Sequence, residues 1–292
     1  MGINTGLARL LVRARLQGAV FTNTVTIGRQ SLAVPLPVLS QLARQLRLTD
    51  APATGSGDFA ENFLHNFLGA QHVNAIDFSD YQQADIIHDL NRPLPANLAG
   101  RFDALIDGGS LEHIFDIRQA LENYMNLVRI GGRVFILTTA NNFCGHGFYQ
   151  FSPEFFYRVF DPANGFRIRN VIMIESPLLS LEHNKNPRYF YVNDPSVVGK
   201  RVQLVNRWPT AIFAHAQKTE QKQLFARLPL QSDYDEFKWR KNRLPEAGEQ
   251  TSDSRQAAVF NYLSVGEELR RRFRQWRKNS ARNKRFFTRV KF

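Results

Sequence analysis

Three aspartates each close a short apolar run: Asp77 after Val73–Ile76, Asp89 after the run from Ala84 to Ile87, and Asp107 after Phe102–Ile106. Carboxylates accept hydrogen bonds from hydroxyl and amino groups, and in open α/β sheets ligands sit beyond the carboxyl ends of the strands. Three acids converging on that end form the first functional signal. The second is Asn141–Phe151 (NNFCGHGFYQF), which sets His146, Tyr149, Gln150 and two asparagines among glycines and aromatics. Gly145 and Gly147 let such a loop fold close to a ligand. His146 or Tyr149 is the first choice for a base that removes a substrate proton, and His113 is a further candidate because imidazole titrates near neutrality. The pair Glu112–His113 also suits a purely structural role in fixing its loop. His113, His146 and an acid do not stand at a metal-ligand spacing such as H-x-x-x-H, so no metal is expected.

The elements that position these residues alternate. Residues 1–18 carry leucines and Val12 at helical spacing, and 2–18 predicts a short amphipathic helix. Thr22–Ile27 is β-branched and predicts a strand stopped by Gly28. Helices are expected at 38–46 and 59–68, the second closed by Gly69, with a loop at 49–58 between them. The runs ending at the three aspartates read as strands. Ile117, Ala120, Leu121, Tyr124, Leu127 and Val128 form one helical face, expected to stop at Gly131-Gly132. Arg133–Thr138 then reads as a buried strand, and Phe166–Glu175 and Ala211–Ala216 as two late ones. Continuous apolar strands alternating with helices imply a mostly parallel sheet covered on both faces.

Net charge describes one end of the chain. Of the formal +12, eleven charges come from basic residues between 269 and 292, a stretch with no acid. A basic helix is expected at 257–278, and the domain is expected to span 1–218, with 219–292 a polar linker and basic tail. Phe273, Trp276, Phe286 and Phe287 among the arginines suit an anionic membrane surface or an acidic partner. A solvated tail is the plainer alternative, and without a nucleic-acid motif that ligand ranks lower. At 43% hydrophobic residues the chain is globular, and no apolar run spans a bilayer. Arg9, Arg13 and Arg15 interrupt any secretory signal. The lone Cys144 points to a reducing, cytoplasmic setting, with the tail allowing a peripheral membrane position.

Five pieces of sequence occur in a telling order. Phe102–Asp107 precedes Ser110-Leu111-Glu112-His113-Ile114. Leu127-Val128-Arg129-Ile130-Gly131-Gly132-Arg133-Val134-Phe135-Ile136 follows, then Phe151-Ser152-Pro153-Glu154-Phe155 and Asn164-Gly165-Phe166. Together they resemble the class I S-adenosyl-L-methionine-dependent methyltransferases of the small-molecule type, over residues 20–217 and most strongly over 73–170. The resemblance implies a Rossmann-like α/β fold with a seven-stranded sheet, and transfer of a methyl group to a small-molecule or glycan-like acceptor. It places Gly28, Arg29, Asp77, Phe78, Asp89, Leu90, Asp107 and Gly108 at the cofactor. Asp77 would accept from the ribose hydroxyls, Asp89 would contact the adenine amino group with Leu90 beside the ring, and Asp107-Gly108 would lie near the methionyl end. Capping of the turn at Ser79 or Asp80 is the alternative for Asp77, and an Asx turn into Asn91-Arg92-Pro93 that for Asp89.

The glycine-rich turn departs from the family. One glycine remains in Thr26-Ile27-Gly28-Arg29-Gln30-Ser31, with no acid before it. Either the cofactor is held differently, with the Arg29 fork pairing the methionyl carboxylate, or the chain is a non-catalytic module tethered by its basic tail.

Overall fold

The computed structural model describes residues 2–48, 59–176, 187–234, 265–290 and 292. Its centre is a nine-stranded sheet rather than the seven expected, in the order β11-β9-β8-β10-β7-β6-β2-β4-β5. The strands are β2 (Asn23–Ile27), β4 (His72–Asp77), β5 (Ile86–Ile87), β6 (Phe102–Gly108), β7 (Val128–Asn141), β8 (Phe166–Glu175), β9 (Arg188–Val192), β10 (Thr210–Lys218) and β11 (Phe287–Val290). Neighbours from β5 to β7 pair in parallel, whereas β10 is antiparallel to both β7 and β8. Numbered along the chain, the seven central strands therefore lie 3-2-1-4-5-7-6. This is the doubly wound order 3-2-1-4-5-6 with one antiparallel strand inserted before the sixth.

Alternation along the strands feeds two cores. Leu105, Val134, Ile136, Val171 and Ile212 face a layer containing Leu121, Tyr124 and Met125 of α4 (Ile117–Leu127) and Phe156 of α5 (Pro153–Val159). Ala104, Ile106, Phe135, Ile172 and Phe213 face the opposite layer, made by α1 (Thr5–Leu16), α2 (Leu36–Gln45) and α3 (Glu61–Phe63), which continues as a π-turn to Leu68. Helices thus cover both faces, as continuous apolar strands require.

The N-terminal element departs from expectation in one useful way. Gly2–Asn4 is a strand, β1, paired in parallel with β3 (Ser31–Ala33). Asn4 then caps α1 by accepting from the Leu7 N–H at 3.0 Å. The chain start is thereby laid across the turn that follows β2.

The expected stop of α4 at Gly131-Gly132 falls inside β7 instead. Lys218 Nζ donates to the carbonyls of Met125 (3.0 Å) and Val128 (3.1 Å), ending the helix at Leu127. The glycines form an irregularity in the β6–β7 pairing, with Gly131 at φ 83° and Gly132 packed against backbone of β6.

The basic end of the chain is partly structural. Pro195–Val198 forms a short α6 and Val265–Lys278 forms α7, while 257–264 of the expected helix and the expected 49–58 loop lie outside the described residues. Phe287–Val290 pairs with β9 as an edge strand of the same sheet, so this segment is no detached tail. Phe286 and Phe287, expected to offer apolar insertion, are buried in the core, Phe287 on β11 against the Phe190 ring and Phe286 edge to face with Phe287. Phe273 and Trp276 stay exposed. Phe287→Ala is expected to lower unfolding free energy by about 3 kcal/mol in denaturant titration, the cost of a large core truncation. Phe273→Ala is expected to change it by less than about 0.5 kcal/mol.

Candidate functional site

At the carboxyl end of β6 the backbone turns into a short 3-10 segment, Leu111–His113. Asp107 makes that turn. Its side chain accepts from the N–H groups of Gly109 (3.0 Å), Ser110 (2.6 Å) and Leu111 (3.0 Å) and from the Tyr124 hydroxyl (2.9 Å). Ser110 Oγ donates to the Ile27 carbonyl at 2.8 Å and fastens the turn to β2. Burial and the nearby Glu112 carboxylate push the Asp107 carboxyl up to about 7, against the pull of these four donors. Asp107 is fully buried, so its expected place at a cofactor gives way to a structural one.

Gly108 is also covered. A Cβ there would lie 2.9 Å from the Gly2 carbonyl oxygen and would strike the Gln30 side chain. The ground between Gly28 and Gly108, expected for a methionyl group, is occupied by the chain's own Gln30 and β1. Gln30 is buried, with its amide donating to the Ile27 carbonyl at 2.5 Å.

Gly28 takes φ 68°, which requires a glycine, and donates to the Ile76 carbonyl at 2.6 Å. Arg29 does not present a free fork. Its Nε meets Glu61 Oε1 at 2.7 Å, its Nη1 donates to the Gln82 carbonyl at 3.1 Å, and its guanidinium lies 3.8 Å from the Phe59 ring centre. The arginine ties the turn after β2 to α3 and to the segment after β4.

Asp77 stands half-buried at the end of β4, between the buried Ile76 and the exposed Phe78 ring. The capping alternative is met by a long hydrogen bond, 3.3 Å from the Ser79 N–H. Beyond it, Tyr81 is also exposed, and Ile87 at the end of β5 is half-exposed. Asp89 instead forms the Asx turn, accepting from the Asn91 N–H (2.9 Å) and side-chain amide (2.8 Å). Those two bonds hold its carboxyl below the usual range. Leu90 is buried in the core rather than open to a ring.

The second half of the site faces the first across the turn after β6. Glu112, 2% exposed, accepts from Thr138 Oγ1 at 2.6 Å. His146 Nε2 lies 3.7 Å from its other oxygen, and the rings of His113 and His146 are 5.2 Å apart. Burial and the neighbouring His146 lower the pKa of His113, while burial raises that of Glu112. The loop reaches this position through Gly147 (φ 78°), whose absent side chain lets Phe148 N–H bond to the Glu112 carbonyl at 2.8 Å. Tyr149 donates its hydroxyl to the Phe115 carbonyl at 2.8 Å. Asn141 and Asn142 anchor the loop start to Asn206.

Thr138, Phe115 and Phe148 were not singled out from sequence, whereas Gly147 was. Thr138 acts through Glu112. Phe115 and Phe148 are exposed and meet edge to face at 5.7 Å, and Phe78 and Tyr81 are exposed beyond β4. Elsewhere, a cavity of about 1120 Å³ opens among β9, β11 and α7, walled by Arg188, Trp208, Trp276, Arg282 and Lys284.

No protein-family model matches this chain, and no curated protein matches it. Among solved structures it is similar to a Burkholderia thailandensis 1,6-didemethyltoxoflavin-N1-methyltransferase bound to S-adenosylhomocysteine, at 13% identity and a TM-score of 0.40, covering 74% of this chain and 78% of that one. It is also similar to a branched-chain polyamine synthase from Thermus thermophilus in complex with 5′-methylthioadenosine, at 12% identity and a TM-score of 0.39, covering 75% and 57%. Likeness at this level assigns neither family nor activity.

The loop geometry carries its own test. Gly145 has a positive φ and open space, so Gly145→Ala should cost about 1 kcal/mol in thermal or denaturant unfolding. Gly147→Ala adds a Cβ 2.7 Å from the Glu112 carbonyl oxygen and should cost at least about 2 kcal/mol.

Proposed function

We propose that the chain is an S-adenosyl-L-methionine-dependent methyltransferase acting on a small-molecule or glycan-like acceptor. The observation that carries this reading is the sheet order. It reverses between β2 and β6, and a doubly wound sheet binds its ligand at that reversal, beyond the carboxyl ends. Asp77 stands one strand beyond the reversal, at the carboxyl end of β4, because the ground between Gly28 and Gly108 is filled by Gln30 and β1.

The residues fit the nucleoside half of the cofactor. A half-buried carboxylate accepts from two vicinal hydroxyls, and Phe78 and Ile87 offer exposed apolar surface for a base. The amino-acid half receives no assignment to Asp107, Gly108 or Arg29, which are buried or already paired. Bound, the cofactor supplies an electrophilic methyl group on a sulfonium. The chain's own work is then alignment, exclusion of water and removal of the acceptor's proton. His146 serves as the base. Glu112 Oε1 lies 3.7 Å from its Nε2, beyond hydrogen-bond length, and Thr138 fixes the other oxygen of Glu112.

Calorimetric titration tests the reading. S-Adenosylmethionine or S-adenosylhomocysteine is expected to bind at micromolar concentration, and at 100 times its dissociation constant to stabilise the fold by about 2.7 kcal/mol. Asp77→Ala should weaken binding at least tenfold, and Asp89→Ala less than twofold. Absence of binding by either ligand would favour the non-catalytic module.

A further inference from the structure

Two imidazoles and a carboxylate meet at the mouth of the crevice. The ligating atoms of Glu112, His113 and His146 all lie within 4.8 Å of one another. Glu112 Oε1 and His146 Nε2 are 3.7 Å apart, beyond hydrogen-bond length yet close to the spacing of two atoms sharing one small ion. Ligands bound to a first-row metal at about 2.0–2.2 Å stand roughly 3.5 Å from each other in tetrahedral geometry. Adjustments on the order of 1 Å in two exposed histidines would complete that arrangement.

The surroundings favour an ion over a simple histidine–glutamate pair. A carboxylate pairing one imidazole needs no second ring, but here two rings converge on it. Thr138 Oγ1 holds the far oxygen of Glu112 at 2.6 Å, and the Phe148 N–H holds its carbonyl at 2.8 Å. Outer partners of this kind fix the orientation of metal ligands. Glu112 is buried while both histidines are exposed, so coordination positions would open toward the crevice mouth.

We infer that Glu112, His113 and His146 form a site for one divalent transition-metal ion, with positions left open to solvent or substrate. Two nitrogen donors and one carboxylate suit Zn²⁺, Co²⁺, Mn²⁺ or Fe²⁺, and disfavour Mg²⁺ and Ca²⁺, which take oxygen ligands. An ion there is placed to bind an acceptor oxygen and lower the pKa of its hydroxyl, with His146 then a ligand in place of the base. That use rests on the methyl-transfer reading; the site itself does not. Chain spacing hid it, because 33 positions separate the histidines and a fold must bring them together.

The test uses the untagged full chain, stripped with a chelator and titrated with Co²⁺ by calorimetry and visible absorption, with no cofactor present. Failure of methyl-donor binding therefore leaves this readout intact. One Co²⁺ per chain is expected, with d–d bands that Zn²⁺ displaces and Mg²⁺ does not. Affinity should fall at least tenfold in His113→Ala and in His146→Gln, with unchanged circular dichroism and thermal melting showing that each variant folds. Cys144→Ser should bind as wild type does, since that exposed thiol lies in the loop but outside the ligand set. No Co²⁺ binding up to millimolar concentration, binding unaffected by His113→Ala, or loss confined to Cys144→Ser would overturn the proposal.

Discussion

The buried carboxylate of Asp107 organises the functional end of this molecule. Three backbone N–H groups and the Tyr124 hydroxyl converge on it, so the turn after β6 is set by one side chain and not by packing alone. Satisfying donors in a fully buried place is obligatory, because an unpaired buried polar group costs about 1–3 kcal/mol. Tyr124 comes from α4, so the helix behind the sheet and the turn at its edge are locked together. Ser110 extends the lock to β2, and Glu112 and His113 inherit their positions from it.

From that node the crevice divides into two halves built on different principles. Toward β4 and β5, a single half-buried acid and exposed rings present an open surface. Toward β7, a glycine-rich loop is pinned onto Glu112, with Gly147 permitting the approach and Asn141 and Asn142 securing the start. Between them, the place where a glycine-rich turn would approach a ligand is closed by Gln30 and by β1. The single Gly28 keeps the positive φ of such a turn, while Arg29 has become a clamp against Glu61 and Phe59.

Most of the sheet was legible because its strands are buried on both faces and read as short apolar runs. β9 and β11 were not. RYFYV lies after a stretch dominated by Asn186-Pro187, and FTRV sits in a basic tail and is too short to alternate, with only its ends, Phe287 and Val290, buried. Asp77, His113 and His146 were visible as chemical types at strand ends. The assignment of Asp107 failed because position at a carboxyl end does not reveal burial, which Tyr124 from 17 residues away imposes. Arg29 failed for the same reason: its partner Glu61 is 32 residues distant. Asp89 and Leu90 followed local rules instead, an Asx turn and a core leucine. Sequence pattern reports which chemistry is present, and long-range pairing decides which of it stays free.

The central claim is that the open half of the crevice, at the ends of β4 and β5, receives the nucleoside of a methyl donor. Amide hydrogen exchange with and without saturating S-adenosylhomocysteine tests it most directly, since protection reports where a ligand slows local opening. Slowed exchange is expected in residues 77–89 and in the turn at 108–113, with β9 unchanged. Protection confined to the cavity walled by Arg188, Trp208 and Trp276, or no protection at all, would contradict the account.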